Sequence, residues 1–491
     1  MSKPHVIIIM ADQLRYDAIG PHTPHIASLL QESVVFDRAY CASPLCVPAR
    51  GAFFTGRYPN ETGCLINPWE AQERNHGYVR SGTAHLYGRM EEEWDSWHTG
   101  KQHFLHEDAP DKMPDARTKW LSMEGSYEAY LKQAGKRKPG GERFKGIVPE
   151  MAFGHTTRAK KYSIPMTGVY EEGFPYFFDG YIADCSMRAL RERDPSKPFL
   201  LQAMFLAPHP PLDVPEPWYS RVSACELPDN VGVWSEHQSP LQLYNLTGAV
   251  GTRYTREDWA KIWPVYLGLV SLLDDCVGML IDELKRQGIY EETMILFTSD
   301  HGEMLGSHCL WQKMCMYEES VRIPLSLKFP SSMEIDPHHI TAPVSSIDVF
   351  PTLCEALELE APAGLSGSSL MPLIRGETSP SQNIFIQYDG NGARGNFGRC
   401  VVNESYKLIV DLFKDELYLE LYAVGEDPQE KRNLIFDPDM EQEAERLLTA
   451  LRAHMRSTGD LLSLPDDAYS AFVRRYASFA GDGTGLDSVT P

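Results

Sequence analysis

The sequence predicts an α/β protein with a large, doubly wound mixed sheet flanked by helices, followed by a smaller C-terminal antiparallel α+β domain. Three observations support this. Short apolar runs alternate along the chain with helical patterns, and the runs end in polar residues. After about Gly376 the pattern changes to short runs separated by turn residues. The chain has 491 residues, of which 43% are apolar, so it can form more than one core.

The elements of the large sheet can be placed in order. The run "HVIIIM" predicts a buried parallel strand that ends at Asp12. "TPHIASLLQES" predicts a helix capped by Thr23. "PFLLQAMFLAPH" predicts a strand that ends at His209, and "TMILFTSDHG" predicts another one. "YTREDWAKIW" begins a long helix with a capping pattern at Thr255, and Gly288 is its predicted stop.

Two domains are expected, a catalytic domain at 1–376 and a C-terminal domain at 377–491. The runs "NIFIQYD", "GRCVVNES", "YKLIVDLF" and "ELYLELYAV" predict a four-stranded antiparallel sheet. An amphipathic helix in "DMEQEAERLLTALRAHMRS" and a weakly structured tail follow. The segment from about 68 to 175 is expected to be irregular, with long loops that shape a binding site.

Composition restricts the class of partner. The formal net charge is -22 and the sequence pI is about 5.2, which argues against a nucleic-acid-binding face. The apolar part of the N-terminal segment is too short for a signal peptide or membrane span, so a cytoplasmic protein without a membrane partner is expected. Ten scattered cysteines without zinc-type spacing are expected to be mostly free. The sequence leaves the oligomeric state open.

Polar residues that follow two predicted strands indicate a metal site. Asp12 and Gln13 follow the first strand, and Asp300 and His301 follow the strand in "TMILFTSDHG". Two loops at strand ends can converge on one cation, and oxygen ligands suit calcium or magnesium. A turn-forming Asp/Gln pair and an ordinary loop histidine are the alternatives for each pair alone.

Four further residues could hold an anion and move protons. Lys101 and His103 in "GKQHF" share one face of an extended segment. His209 lies between prolines, and Lys313 follows in "LWQKMC". Ammonium groups bind oxyanions and imidazoles transfer protons. Taken singly, each has an alternative: a surface loop, a strand cap or a solvated lysine. Together with the metal residues they fit hydrolysis of a sulfate or phosphate ester.

The stretch "SPLCVPARGAFFTGRYP" places Cys46 at the start of a predicted helix. The thiol could be a buried apolar group, a thiolate nucleophile or a precursor of another group. The segment Cys46-Val47-Pro48-Ala49-Arg50 and the following "GAFFTGRYP" resemble the signature of type I sulfatases. "TGKQH", "TSDHGEMLGSHCLWQKMCMYEESVRIPL", "SSIDVFPTLCEALEL" and "ELYAVGEDPQEKRNL" resemble later motifs of that family. The five ordered motifs extend over nearly the whole chain.

This resemblance implies the alkaline-phosphatase-like fold and a formylglycine-dependent mechanism. In that family a dedicated formylglycine-generating enzyme oxidises the signature cysteine to Cα-formylglycine. One hydroxyl of the hydrated aldehyde attacks sulfur, and the other allows the aldehyde to reform as sulfate leaves. The resemblance implies one divalent cation, calcium first and magnesium or manganese as alternatives, with the ligands Asp12, Gln13, Asp300, His301 and modified Cys46. It implies these further roles: Arg50 holds the formylglycine, Lys101 and Lys313 bind sulfate, His103 assists hemiacetal collapse, and His209 lies near the leaving group.

Gln13 departs from the family pattern, which often has a second aspartate there, so a weaker metal site is expected. The same feature resembles choline sulfatase and phosphonate monoester hydrolases. The Gly-Lys-x-His motif favours a sulfatase, with a phosphonate monoester or phosphodiester hydrolase as the alternative and an inactive binding protein as a third class. Sulfated sugars, choline-like sulfates and aryl sulfates all remain candidate substrates, and the acidic composition favours small ones. The expected pocket residues are Trp94, Trp97, His98 and Arg394, with packing as the alternative for the two tryptophans.

Overall fold

The computed structural model of the protein describes residues 3–68, 75–152, 155–377, 383–391 and 394–480. The strands are β1 (His5–Asp12), β2 (Val34–Phe36), β3 (Ala39–Tyr40), β4 (Asp95–Gly100), β5 (Lys119–Ser122), β6 (Lys145–Ala152), β7 (His155–Ser163), β8 (Thr167–Val169), β9 (Phe199–Pro208), β10 (Leu212–Val214), β11 (Thr293–Ser299), β12 (Arg322–Ile323), β13 (Leu325–Lys328), β14 (His338–Ile340), β15 (Val344–Ser345), β16 (Ile384–Tyr388), β17 (Phe397–Val402), β18 (Lys407–Phe413) and β19 (Glu416–Tyr422). The α-helices are α1 (Pro24–Gln31), α2 (Cys46–Thr55), α3 (Pro59–Thr62), α4 (Leu86–Met90), α5 (Ser126–Ala134), α6 (Phe178–Glu192), α7 (Trp218–Arg221), α8 (Leu246–Ala249), α9 (Arg256–Arg286), α10 (Glu318–Val321), α11 (Val349–Ala356), α12 (Met371–Ile374), α13 (Glu441–Ser457) and α14 (Ala468–Ala480).

The central sheet has eight strands in the order β14-β2-β13-β11-β1-β9-β4-β5. Strand β13 pairs antiparallel with both of its neighbours, and the other pairs are parallel. Strand β1 is buried on both faces, because alternate side chains enter two different cores: Val6, Ile8 and Met10 in one, and Ile7, Ile9 and Ala11 in the other. The prediction of a doubly wound mixed sheet is confirmed.

Helices cover both faces of this sheet. Helices α1, α6 and α9 form one layer, and α2 and α11 pack in the opposite core. Helix α9 begins with the predicted capping box of Thr255 and Asp258 and runs without interruption through Pro264. It ends just before Gly288, which has φ 72°. Its length and hydropathy would suffice to cross a membrane, but 89% of its most apolar window is buried inside the fold.

The second sheet, β16-β17-β18-β19, is antiparallel throughout, so the four predicted C-terminal strands are confirmed. One face joins the core of the central sheet through residues such as Cys400 and Ile409. The other face packs against α13 through Val410, Leu447 and Leu451. This sheet therefore lies between α13 and the main core. The exact boundary at 376/377 stays a prediction, and the predicted tail at 481–491 lies outside the described residues.

The segment from 68 to 175 is more regular than expected. It contributes β4 and β5 to the central sheet and forms the β6–β7 hairpin. Strand β4 lacks an apolar run because its polar side chains find buried partners. The His98 Nδ1 lies 2.8 Å from the Tyr87 hydroxyl, and the Thr99 hydroxyl lies 2.6 Å from that of Ser186. The expectation of an irregular region was wrong here because buried hydrogen bonds replace apolar contacts.

Candidate active site

The candidate site lies at the carboxyl ends of four adjacent parallel strands, β11, β1, β9 and β4. Asp12 is the last residue of β1, and the segments after β11, β9 and β4 supply the remaining strand-end residues: Asp300, His301, His209, Lys101 and His103. Parallel strands end at one edge of the sheet, so residues far apart in sequence meet there. The sequence prediction that these loops converge is in agreement with this arrangement.

Cys46 is the first residue of α2 and is 2% exposed. Leu45 is extended immediately before it, and the Val47 N–H donates to the Asn67 side chain at 3.0 Å. The helix N-terminus thus faces the strand ends, where peptide dipoles favour a negative charge. The Cys46 Sγ lies 3.1 Å from His301 Nε2 and 3.9 Å from Asp12 Oδ1.

Arg50 and Lys101 hold the two central carboxylates. The Arg50 guanidinium donates to Asp300 at 2.9 Å, to Asp12 at 3.3 Å and to the Lys101 carbonyl at 3.2 Å. The Lys101 ammonium also contacts Asp12. All four residues are at most 5% exposed. Because Arg50 is one turn after Cys46 on α2, its contacts fix the start of that helix against the ends of β1 and β11.

Asp12, Cys46, Asp300 and His301 are suited to hold a cation. One ligand atom of each lies within 4.8 Å of the others, and all four residues are buried. Two carboxylates and an imidazole are ordinary ligands of a divalent ion. The donor set therefore fits the cation expected from the sequence.

Gln13 lies beside this group, held between two charged residues. Its side-chain amide donates to Glu303, its amide oxygen accepts from Lys313, and its backbone N–H donates to Asp300 at 3.1 Å. The ligand role expected for Gln13 stays a prediction. Glu303 was not identified from the sequence, where it is one more acidic residue in a polar loop.

The positive charges of the site lower the pKa values of two of its acids, Asp12 and Cys46. Burial alone would raise the pKa of Asp12, but Lys101, His209 and Arg50 outweigh it, so this pKa lies well below the ordinary value. Burial and Asp12 raise the pKa of the Cys46 thiol, whereas nearby cations lower it by more, and the net shift is downward. An anion at position 46 is therefore favoured.

The two cavity histidines are held neutral. Burial, assisted by Lys101 for His103 and by Lys313 for His209, lowers both pKa values well below the ordinary value. His209 Nδ1 lies 2.5 Å from the Pro210 carbonyl and must donate to it, so Nε2 is the atom free to exchange a proton. His103 Nδ1 is buried and has no hydrogen-bond partner among the described residues.

These groups open into one cavity of about 320 Å³. Its floor and walls contain Cys46, Lys101, His103, His209 and Lys313, and the β6–β7 hairpin contributes to its rim. The structure thus brings all the predicted anion-binding and proton-transfer residues to one place. Their catalytic roles stay predictions at this point.

Four residues expected to line the pocket do not line it. Trp94 and Trp97 are buried and donate to the Pro4 carbonyl and to Asp95. His98 lies inside the core beside Tyr87, and Arg394 forms an ion pair with Asp389 at 3.1 Å. The packing alternative is confirmed for the two tryptophans. The pocket prediction was wrong for His98, which also packs around β4, and for Arg394, which Asp389 holds.

Comparison with known proteins agrees with this site. The family model described as "Sulfatase" matches residues 4–359, and the model "N-sulphoglucosamine sulphohydrolase, C-terminal" matches residues 306–457. The choline-sulfatase of Rhizobium meliloti (strain 1021) is 28% identical over 490 residues, covering 96% of this chain and 89% of the relative. The arylsulfatase of Clostridium perfringens (strain 13 / Type A) is 25% identical, covering 88% of this chain and 90% of the relative.

Solved structures share the fold. The phosphonate monoester hydrolase of Agrobacterium radiobacter superposes with a TM-score of 0.71 at 22% identity, covering 92% of this chain and 96% of that chain. At this identity the likeness shows the fold alone, whereas the family match extends over most of the chain. The protein therefore belongs to the sulfatase family and is a sulfuric ester hydrolase with the alkaline-phosphatase-like fold.

Proposed function

We propose that the protein hydrolyses the sulfate ester of a small alcohol or short saccharide, using formylglycine made from Cys46 and one divalent cation, calcium first. The observation that carries this proposal is the position of Cys46. It lies at a helix start, 3.1 Å from His301 and within the group of buried ligands formed with Asp12 and Asp300. A structural cysteine gains nothing from such surroundings, whereas a nucleophile beside a cation needs them.

The lysine side chains of the site would bind the sulfate group of the substrate. Lys101 and Lys313 line the same cavity as Cys46, and each can donate to sulfate oxygens in place of its present partner. Each of the three guanidinium nitrogens of Arg50 already donates, to Asp300, the Lys101 carbonyl or Asp12, so Arg50 positions the ligand group rather than the substrate. When bound, the cation and formylglycine would supply charge neutralisation and a hydroxyl nucleophile.

The two histidines would move the protons. His209 lines the cavity and its ring is fixed through Nδ1, which leaves Nε2 to transfer a proton to the departing alcohol oxygen. His103 has an unused buried Nδ1 next to Lys101, which suits removal of a proton at position 46 before sulfate is released. Maturation would require a formylglycine-generating enzyme as a transient partner, and the cytoplasmic location stays part of this proposal.

Matched 4-nitrophenyl sulfate, 4-nitrophenyl phosphate and 4-nitrophenyl phenylphosphonate test the proposal on enzyme co-expressed with the maturation enzyme. We expect the sulfate ester to have the highest kcat/KM. Cys46→Ala should abolish turnover, and Cys225→Ala, a half-buried cysteine outside the site, is the control. A large preference for either phosphorus ester would favour the phosphonate or phosphodiester hydrolase instead. Full activity in Cys46→Ala would contradict the assignment of residue 46 as the nucleophile.

A further inference from the structure

The β6–β7 hairpin presents two lysines to the rim of the catalytic cavity. Lys145 pairs with Ser163 across the hairpin, and Ile147 pairs with Lys161. In an antiparallel pair, direct partners and residues two positions away project from the same face. Lys145, Lys161 and Ser163 therefore share one face, and all three line the cavity.

Neither Lys145 nor Lys161 is held in a buried ion pair with a described carboxylate. Lys145 forms no ion pair with a described carboxylate, and Lys161 contacts Glu142, whose side chain is 77% exposed. An exposed pair of that kind contributes little and exchanges readily. The two ammonium groups are therefore available to a ligand in the cavity.

The charge of the cavity is the reverse of the charge of the protein. The chain carries a formal net charge of -22, yet the described residues that line the cavity include four lysines and no aspartate or glutamate. Lys101 and Lys313 lie beside Cys46 and suffice for the sulfate that is cleaved. Lys145 and Lys161 are two further cationic groups that binding of a single sulfate monoester does not require.

We propose that Lys145, Lys161 and Ser163 form a subsite for a second anionic group of the substrate, a carboxylate or another sulfate. The natural substrate is then at least dianionic. This rests on the proposed sulfate ester hydrolysis and narrows its substrate class. The cavity volume of about 320 Å³ lies near the lower end for ligand sites, which suits an alcohol of monosaccharide size.

The same charges exclude a quaternary ammonium alcohol, although one relative is named a choline-sulfatase. Recognition of such a cation uses aromatic faces or carboxylates. Among the described lining residues the cavity offers one Phe, Tyr or Trp ring, that of Tyr162, and four ammonium groups that carry the same charge as such a ligand. The proposal therefore predicts that this chain prefers a different kind of alcohol from the one in that relative's name.

Four aryl sulfates that differ in one meta substituent test this on matured enzyme: carboxylate, sulfooxy, hydroxymethyl and trimethylammonio. At low ionic strength we expect both dianionic esters to exceed the hydroxymethyl ester about tenfold in kcat/KM, and the trimethylammonio ester to fall below it. The advantage should shrink at high salt, because these contacts are partly exposed. The dianionic ester with the higher kcat/KM shows whether the subsite prefers a carboxylate or a second sulfate.

Lys145→Met and Lys161→Met should each lower the dianionic-to-neutral ratio about threefold, and the double variant should bring it near one. Lys261→Met, an exposed lysine of α9, is the control. An equal preference for neutral and dianionic esters in the native enzyme would overturn the subsite while leaving sulfatase activity intact. A ratio unchanged in a double variant of native melting temperature would do the same. Absence of turnover with all four esters would overturn the proposed function and the subsite with it.

Discussion

The buried carboxyl group of Asp179 predicts how the free energy of unfolding changes with pH, in both direction and magnitude. This carboxyl is buried near the start of α6 and accepts the N–H groups of Leu206 and Ala207 at 2.7 and 3.0 Å, close to the end of β9. Its Oδ2 has no partner among the described residues. Burial raises its pKa to about 7 despite the two backbone hydrogen bonds. The group thus anchors the segment that presents His209, at an electrostatic cost above neutral pH.

The loss of stability can be calculated from the two pKa values of Asp179, 3.8 as the ordinary value and about 7 in the folded protein. Because the folded pKa is raised, the stabilisation from the bound proton is complete below the ordinary value and is lost as pH rises through 7. Between pH 5 and pH 8 this group alone should lower the free energy of unfolding by about 2 to 3 kcal/mol. Asp179→Asn keeps the shape but cannot ionise, so it should escape this loss.

The assay is thermal unfolding at half-unit steps from pH 5 to pH 8. For a chain of this length the entropy of unfolding is about 1 kcal/mol per kelvin, so the Tm difference between Asp179→Asn and the native protein should grow by about 2 to 3 °C in favour of the variant. Asp282→Asn, an exposed aspartate of α9, is the control and should parallel the native curve. Parallel curves for Asp179→Asn as well would refute the assignment of a raised pKa.

Three further predictions concern the site and its support. His209→Gln should slow hydrolysis of an alkyl sulfate about 100-fold but that of 4-nitrophenyl sulfate less than about tenfold, because nitrophenolate leaves without needing a proton. Equal losses for the two substrates in steady-state kinetics would contradict the role of His209 as proton donor to the leaving group. Chelation of the cation should stop hydrolysis and lower Tm by about 3 °C, because Asp12 and Asp300 lose part of their counter-charge, and calcium should restore both activity and Tm. A Tm that responds to neither chelator nor calcium would argue against the metal group. Lys407→Met removes the ammonium that pairs with buried Glu318 and Glu430 and leaves Glu318 with its longer contact to Arg322, so it should lower the free energy of unfolding by about 3 to 5 kcal/mol, measured by calorimetry. Lys431→Met at an exposed pair should cost less than about 1 kcal/mol, and similar losses for the two variants would contradict the buried network.

The sequence predicts the parts of the fold that are built from apolar periodicity. Strands β1, β9 and β11 are buried on both faces, so their runs are apolar and their polar ends mark one sheet edge. Strand β4 was missed because its polar side chains form hydrogen bonds with residues that only the tertiary structure brings near. The β6–β7 hairpin was missed for a related reason, since backbone pairing holds it and the sequence of β7 is largely polar, without an apolar run.

The candidate site likewise has residues that the sequence predicts and contacts that it does not predict. Cys46 and Arg50 are one helical turn apart, and the strand-end residues follow recognisable runs, so their presence could be predicted. Contacts between distant segments could not be predicted, such as Arg50 with Asp300 or Gln13 with Glu303. The rim lysines of the β6–β7 hairpin are indistinguishable in sequence from other surface lysines, and only their register across the hairpin assigns them to the cavity.

The central claim is that the group made from Cys46 is the nucleophile. The most direct measurement compares sulfate release with the fraction of chains that carry formylglycine at position 46, determined by peptide mass spectrometry over preparations with graded maturation. The account predicts that the specific activity is proportional to this fraction and extrapolates to zero for the thiol form. Activity that is independent of the converted fraction would contradict it.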